Sequence, residues 1–423
     1  MTHIYLGQRV GYAGVLLPCY FDTAHLTRHV HVLGKTGMGK STLLRAIMSG
    51  LLEHSGFCLL DPHGDLARWA LDVIPPHRLG DVIFLDAADP EYAPALNLVS
   101  SAIPEAHRPR VASALLSSFR HLWAESWGPR LEYILYHSLR TLLDAGNVSL
   151  IALPRLLVDE SFRLSIVKQC RDPFIRSFWS TEYDAWDKRF RQEAIAPIQN
   201  KLGQLAALPQ LRHIFGQVKL RVDFAEVLRE GRIVIVNLAK GNLGEDAARI
   251  IGSLLVSSLC SAAMERGASN TNERRDFTLI LDEAQSFLSD ALVSVLSESR
   301  KFGLGIVLCH QYFAQLPPAI QTAVLGNVGS TFAFRVSGDD AEVLAKHYGT
   351  VFSPSGFIEA APFTALVRPV DSVGYPFRLL ITSANNETRS NANRVRDRSR
   401  QQYCSLRSEV ERKLSKWIID SCF

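Results

Sequence analysis

An α/β fold, a mostly parallel sheet interrupted by a long helical insert, is predicted by three observations. Short apolar runs rich in β-branched residues recur between turn signals and alternate with longer helical patterns, which is how a sheet covered on both faces reads. No convincing buried run interrupts residues 103–222, where the pattern is helical and rich in Trp and Arg. A glycine-rich turn joins the first apolar run directly to a helical one.

In chain order, the first three predicted strands are 30–33, 57–60 and 82–85. Within the insert, 111–123, 131–143 and 190–205 carry helical periodicity, while Pro154, Pro173 and Pro197 are expected to punctuate or kink it. Strands resume at 233–236, 277–281, 305–309 and 331–336. Segments 363–370 and 375–382 read as a β-hairpin able to extend the sheet edge. Beyond it, residues 383–402 are polar and Arg-rich, with Arg389, Arg394, Arg396, Arg398 and Arg400 against Glu387 and Asp397. Such a run suits phosphate screening or a solvated tail or subunit contact, and residues 408–419 read as a short amphipathic helix.

Composition narrows the function classes. With 423 residues, 47% of them hydrophobic, the chain is long enough for two domains or one interrupted one, and wholesale disorder is excluded. Forty-six Lys and Arg against 42 Asp and Glu give a formal charge of +4, so any nucleic-acid site must be a local patch. The seven cysteines are scattered without a C-x-x-C pair, against a zinc site or disulfide framework and in keeping with cytosolic thiols. No window approaches 18 consecutive apolar residues and the N-terminus lacks a signal-peptide pattern, so a cytoplasmic location is expected.

The most specific signal is Gly34-Lys-Thr-Gly-Met-Gly39-Lys40-Ser41, a G-x-x-x-x-G-K-[ST] motif between a strand and a helix. Glycines let backbone N–H groups turn inward around phosphates, a lysine reaches the β/γ oxygens and a hydroxyl ligates Mg²⁺. The expected nucleotide contacts are Gly34, Lys35, Thr36, Gly37, Met38, Gly39, Lys40, Ser41 and Thr42, with ATP and Mg²⁺ as ligands. A second signal ends the apolar run 277–281: Asp282 is placed on the metal, beside Ser41, and Glu283 as general base. After the next strand, Gln311 is the candidate γ-phosphate sensor. Arg300, on the preceding helix, reads either as a solvated cation or as an arginine finger for a neighbouring subunit. Asp61-Pro-His63-Gly-Asp65 reads as a turn in which Asp65 caps the next helix and Asp61 lies near the Mg²⁺ waters; a two-metal nuclease site is the minor alternative. Asp86-Ala-Ala-Asp89-Pro90, leading to Asn97, reads as structural. In the insert, Trp179, Tyr183, Trp186, Lys188, Arg189, Phe190 and Arg191 would suit single-strand stacking, although Trp in a helical segment more often fills a core.

These motifs, with Arg300-Lys-Phe-Gly303, His310-Gln311, Asn327-Val-Gly and Phe334-Arg335, together resemble the TraG/TraD-type coupling ATPases of conjugative type IV secretion, relatives of the HerA and FtsK DNA translocases. The likeness runs from about Leu6 to Ile381. It implies a RecA-like P-loop motor assembled as a hexameric ring, with ATP between subunits and single- or double-stranded DNA in a central channel. By position it makes Lys40, Glu283, Arg300 and Gln311 the catalytic set, Arg300 acting in trans, and leaves Arg335 at a subunit interface or on a structural carboxylate. It divides the chain into a motor domain at 1–102 plus 223–385, an inserted all-α domain at 103–222 and a basic tail at 386–423. Coupling proteins usually begin with membrane helices and HerA proteins with a small β-barrel, and the residues before Val30 read as neither, so membrane docking would come through a partner such as a relaxase or secretion-channel protein. The alternative is a secretion or pilus-assembly ATPase acting on protein, or a HerA-like motor in DNA processing or defence.

Overall fold

The computed structural model of the chain describes residues 3–268, 274–349, 351–370, 375–382 and 391–419. Its strands are β1 (His3–Val10), β2 (Leu16–Asp22), β3 (Val30–Leu33), β4 (Gly56–Asp61), β5 (Val82–Asp86), β6 (Tyr92–Pro94) and β7 (Ile233–Asn237). They continue as β8 (Phe277–Leu281), β9 (Leu304–His310), β10 (Ser330–Ala333), β11 (Thr364–Arg368), β12 (Phe377–Ile381) and β13 (Cys404–Leu406). An 11-stranded sheet runs β2-β1-β12-β11-β10-β3-β9-β8-β4-β7-β5, and β6 pairs with β13 in a separate ribbon. Every pairing from β10 across to β5 is parallel. This is the predicted α/β fold, and the predicted hairpin at 363–382 extends its edge as β11–β12.

Apolar residues fill the central strands because both faces are covered. Along β4, Phe57 and Leu59 belong to one core and Cys58 and Leu60 to the other; β7 and β9 alternate in the same way. Helices Lys40–His54 and Asp65–Val73 cover one face. Helix Glu245–Glu265 and those of the insert cover the other.

Between Glu105 and Phe215 the chain is entirely helical and turn-like, and its apolar residues, among them Leu115, Phe119 and Leu135, share one continuous core with β4, β5 and β7. Pro154 and Pro173 sit in the first turns of their helices, where a missing N–H is harmless. Pro197, expected to kink, lies inside Lys188–Ala207 without ending it; the carbonyl it leaves unpaired belongs to exposed Glu193, within reach of water.

The aromatic run is core. Trp179 and Tyr183 are fully buried, Trp179 Nε1 donates to Thr141 Oγ1 at 2.8 Å and the Tyr183 hydroxyl to the Leu157 carbonyl at 2.6 Å. Arg191 is spent on the carbonyls of Asp184 and Trp186, while Arg189 pairs with Glu193 on the surface.

Two features depart from the expected pattern. The β1–β2 hairpin, unpredicted, adds an antiparallel edge through β12. The supposed tail, over its described residues, docks on the fold: helix Ala392–Tyr403 lies along β5, where Ser399 Oγ accepts the Phe84 N–H at 3.0 Å. Arg400 binds Asp89 at 2.8 Å, Arg398 the Leu79 carbonyl, and Arg407 the carbonyls of Tyr92 and Ala87. Of the five arginines named in the run, Arg398 and Arg400 are thus engaged with the fold, Arg394 is exposed and Arg396 donates to Asn393 Oδ1 at 3.1 Å on the surface, while Arg389 lies outside the described residues. Helix Arg407–Ile419 matches the expected amphipathic one. Among the described residues one helix, Glu245–Glu265, is long and apolar enough to cross a membrane, and 83% of its apolar window is buried inside the fold.

Candidate functional site

All strands that carry the predicted motifs end on one edge of the sheet, because parallel pairing aligns their carboxyl ends. β3 delivers the chain into the loop Gly34–Gly39, and helix Lys40–His54 follows at once. Gly37 has φ +78° with open space where a side chain would be, and Gly39 has φ +115°, where a Cβ would press on Phe334 and Phe363. The loop is braced from behind: the Lys35 N–H donates to the Arg335 carbonyl at 2.9 Å and the Phe363 N–H to the Met38 carbonyl at 2.8 Å. Lys40 Nζ donates to the carbonyls of Gly34 at 2.6 Å and Lys35 at 3.1 Å, keeping its ammonium over the loop. Lys35, Thr36, Gly37 and Ser41 are exposed, and Thr42 is half-buried. This cradle, open at Gly37 and headed by unpaired helix-terminal amides, fits a polyphosphate.

Asp282 and Glu283 follow β8, separated from β3 by β9. Burial pushes the Asp282 carboxyl up to about 6, and the charges of Asp61 and Glu283 push the same way; a hydrogen bond from the Cys309 thiol and the nearness of His63 oppose them. A buried carboxylate flanked by two others favours a cation beside it, and with the Ser41 hydroxyl it makes a donor set that fits Mg²⁺. Asp61 is otherwise engaged: its two oxygens accept the N–H groups of His63 at 2.9 Å and Ala67 at 2.8 Å, so it, rather than Asp65, caps helix Asp65–Val73. Asp65 faces out, 3.9 Å from Arg68. Among the described residues no three His, Cys, Asp or Glu side chains converge as a metal cluster, and these contacts disperse the proposed nuclease constellation.

Glu283 occupies a left-handed backbone conformation, φ 50° and ψ 54°, rare outside glycine. Both of its oxygens are taken: His63 Nε2 lies 2.9 Å from Oε1 and Lys240 Nζ 2.6 Å from Oε2. Burial would raise its carboxyl, but hydrogen bonds from Lys240 and His63 outweigh that and hold it below the usual carboxylate range. Lys240 had escaped the sequence reading. The only signal for it was its place in Asn237-Leu-Ala-Lys240-Gly, just past a strand that ends on the same edge. Cys309, one of the scattered cysteines, also gave no sign that it stands beside Asp282.

Gln311 stands at the end of β9, half-buried between the phosphate loop and the acidic pair; its N–H is held by Gln315 Oε1 at 2.9 Å. Arg300 lies on helix Asp290–Phe302, and its side chain falls outside the described residues. Among the described residues Arg335 meets no carboxylate: its Nε donates to the Ala360 carbonyl at 2.8 Å, and its own carbonyl braces the loop. Beneath the loop, His31 and His310 stack with ring centroids 4.9 Å apart and Nε2 atoms 2.7 Å apart.

A family model described as "Helicase HerA, central domain" matches residues 4–259. No curated protein matches the chain by sequence. Among solved structures, the plasmid coupling protein TrwB in complex with ADP and Mg²⁺ is similar, with a TM-score of 0.67 and 18% identity over 92% of this chain and 97% of that one. An unbound form of the conjugative coupling protein TrwB gives a TM-score of 0.66 at 18% identity over 91% of each chain. VirB4 of Thermoanaerobacter pseudethanolicus gives 0.57 at 14% identity over 91% of this chain and 97% of that one. These likenesses place the fold among RecA-like P-loop NTPases.

Proposed function

Because the chain belongs to the family of the HerA helicase central domain, we propose that it is an ATP-hydrolysing motor that translocates DNA, of the kind that serves conjugative type IV secretion. One observation carries the reading: Lys40 at the head of a phosphate cradle and the Asp282-Glu283 pair stand on the same carboxyl edge, with only β9 and Gln311, the residue that follows it, between them. The ADP and Mg²⁺ held by TrwB in a similar fold support ATP and Mg²⁺ as the ligands here.

In this reading the loop amides and Lys40 hold the β- and γ-phosphates, and Ser41 and Asp282 hold Mg²⁺, which when bound supplies charge neutralisation of the phosphates. Glu283 accepts the proton of the attacking water. Gln311, at the junction of the loop and the acidic pair, reports whether a γ-phosphate is present. Arg300 completes the site of a neighbouring subunit in a hexameric ring through which DNA passes. The motor is formed by 1–102 and 223–385 and carries the insert at 103–222 and the tail at 386–423, and recruitment to the inner membrane face runs through a partner.

Steady-state ATP hydrolysis with and without single- and double-stranded DNA tests this. Stimulation by DNA is expected, with kcat lowered roughly 10²- to 10⁴-fold in Glu283→Gln and comparably abolished in Lys40→Ala. Full activity in Lys40→Ala would sink the site assignment. Hydrolysis that responds to no DNA would favour a protein substrate instead.

A further inference from the structure

Among the described residues, Glu283 is the one carboxylate at the site with a cationic or imidazole partner on each oxygen, His63 on Oε1 and Lys240 on Oε2. Each oxygen keeps a second lone pair, but with both oxygens held by donors the carboxylate is aimed at His63 and Lys240 and cannot turn to an attacking water until those bonds break. We infer that His63 and Lys240 are positioning residues that latch Glu283 in a non-hydrolysing state, released when the segment 238–244 moves. The inference rests on the reading of Glu283 as the general base.

The two partners are built to move together. Lys240 begins the short helix Lys240–Leu243, and its N–H donates to the Pro62 carbonyl at 2.8 Å, next to His63; the Leu238 N–H donates to the Asp61 carbonyl at 3.0 Å. The segment carrying Lys240 is bracketed by unusual backbone: Ala239 at φ 35° and ψ 56°, and Gly244 at φ 90° and ψ 146°. Gly241 and Gly244 have open space around them, and Gly241, Asn242 and Gly244 are exposed while Leu243 is buried as an anchor. A cavity of about 540 Å³, lined by His63, Gly64, Ala239, Gly241 and Asn242 among others, opens beside the latch. Anything seated there, or pressing on the exposed turn, displaces Lys240 and His63 as one unit and frees both oxygens of Glu283.

Two readouts test the latch. Acetylation by a small N-hydroxysuccinimide ester, followed by mass spectrometry on the ligand-free chain, should modify Lys240 more slowly than exposed Lys219 and Lys413, and Glu283→Gln should remove that protection. In DNA-free turnover, Lys240→Ala should raise kcat roughly five- to ten-fold, the factor expected for releasing one charge-assisted hydrogen bond, with the affinity for a fluorescent ADP analogue unchanged. His63→Ala should act in the same direction, and Lys240→Arg, which keeps the ion pair, should stay at the wild-type rate. Lys240 labelled as fast as Lys219, or a Lys240→Ala kcat that is unchanged or lower, would overturn the latch. Unimpaired hydrolysis by Glu283→Gln would instead remove Glu283 as the base, a different failure.

Discussion

The imidazoles of His31 and His310 lie beneath the phosphate loop with no room to charge. His310 Nδ1 donates to the Tyr312 carbonyl at 3.1 Å, so its Nε2 accepts from His31 Nε2–H, and His31 Nδ1 is left buried without a partner. Burial, with His31 and His310 opposing each other, holds His31 well below its ordinary value, and burial holds His310 at about 4. The folded chain therefore refuses protons that the unfolded chain accepts: stability is full above the unfolded value and is lost as pH falls towards the folded one. His310 should cost about 2 kcal/mol between pH 7 and pH 5, and His31 acts in the same direction. Asp282, raised to about 6, contributes the opposite slope, so the effect is to be read as a difference between variants. Denaturant midpoints of wild type and His31→Phe should diverge on acidification, with the variant gaining relative stability; parallel curves would show that His31 is not buried neutral.

At the level of elements, the sheet is closed at its β5 edge by the helix Ala392–Tyr403, and one hydroxyl joins them. Ser399→Ala would leave the buried Phe84 N–H unpaired, and a loss of about 1–3 kcal/mol is expected, with faster proteolysis of the C-terminal segment as the check. The seven strands of the parallel core were legible in the sequence because burial on both faces writes an uninterrupted apolar run. β1 and β2 were not, because the edge strand exposes Leu16, Leu17 and Tyr20, contains Pro18, and pairs across a bulge at Gly7 that breaks the alternation. Gly7 itself is required there: at φ +137°, a Cβ would lie 2.1 Å from the Leu380 carbonyl oxygen. The site divides in the same way. Lys40 and Glu283 sit in motifs whose neighbours in sequence identify them, whereas Lys240 and His63 meet Glu283 only through the pairing of β4 with β7 and β8. The docking of Arg398, Arg400 and Arg407 was not legible because their partners, Asp89 and the carbonyls of Leu79, Ala87 and Tyr92, lie some three hundred residues earlier.

For the whole molecule, a ring with Arg300 acting in trans makes a specific prediction about mixtures. Arg300→Ala alone should lose roughly 10³-fold or more in kcat, and Lys40→Ala should be inactive for its own reason. Mixed, the two restore hydrolysis, because a Lys40→Ala subunit lends its arginine to the intact loop of its neighbour; a mixture as inactive as its parts would exclude the trans role. The strand order has a further consequence, for the birth of the molecule. β3 ends at Leu33, yet its two neighbours in the sheet, β9 and β10, begin at Leu304 and Ser330. On a ribosome adding ~5–20 residues per second, the first strand of the core waits on the order of ten seconds or more for either partner. Until then a strand built to be buried on both faces, with both edges bare, is exposed in the cell, so yield of the intact protein should depend on chaperones during synthesis, and chains truncated before Leu304 should aggregate rather than fold.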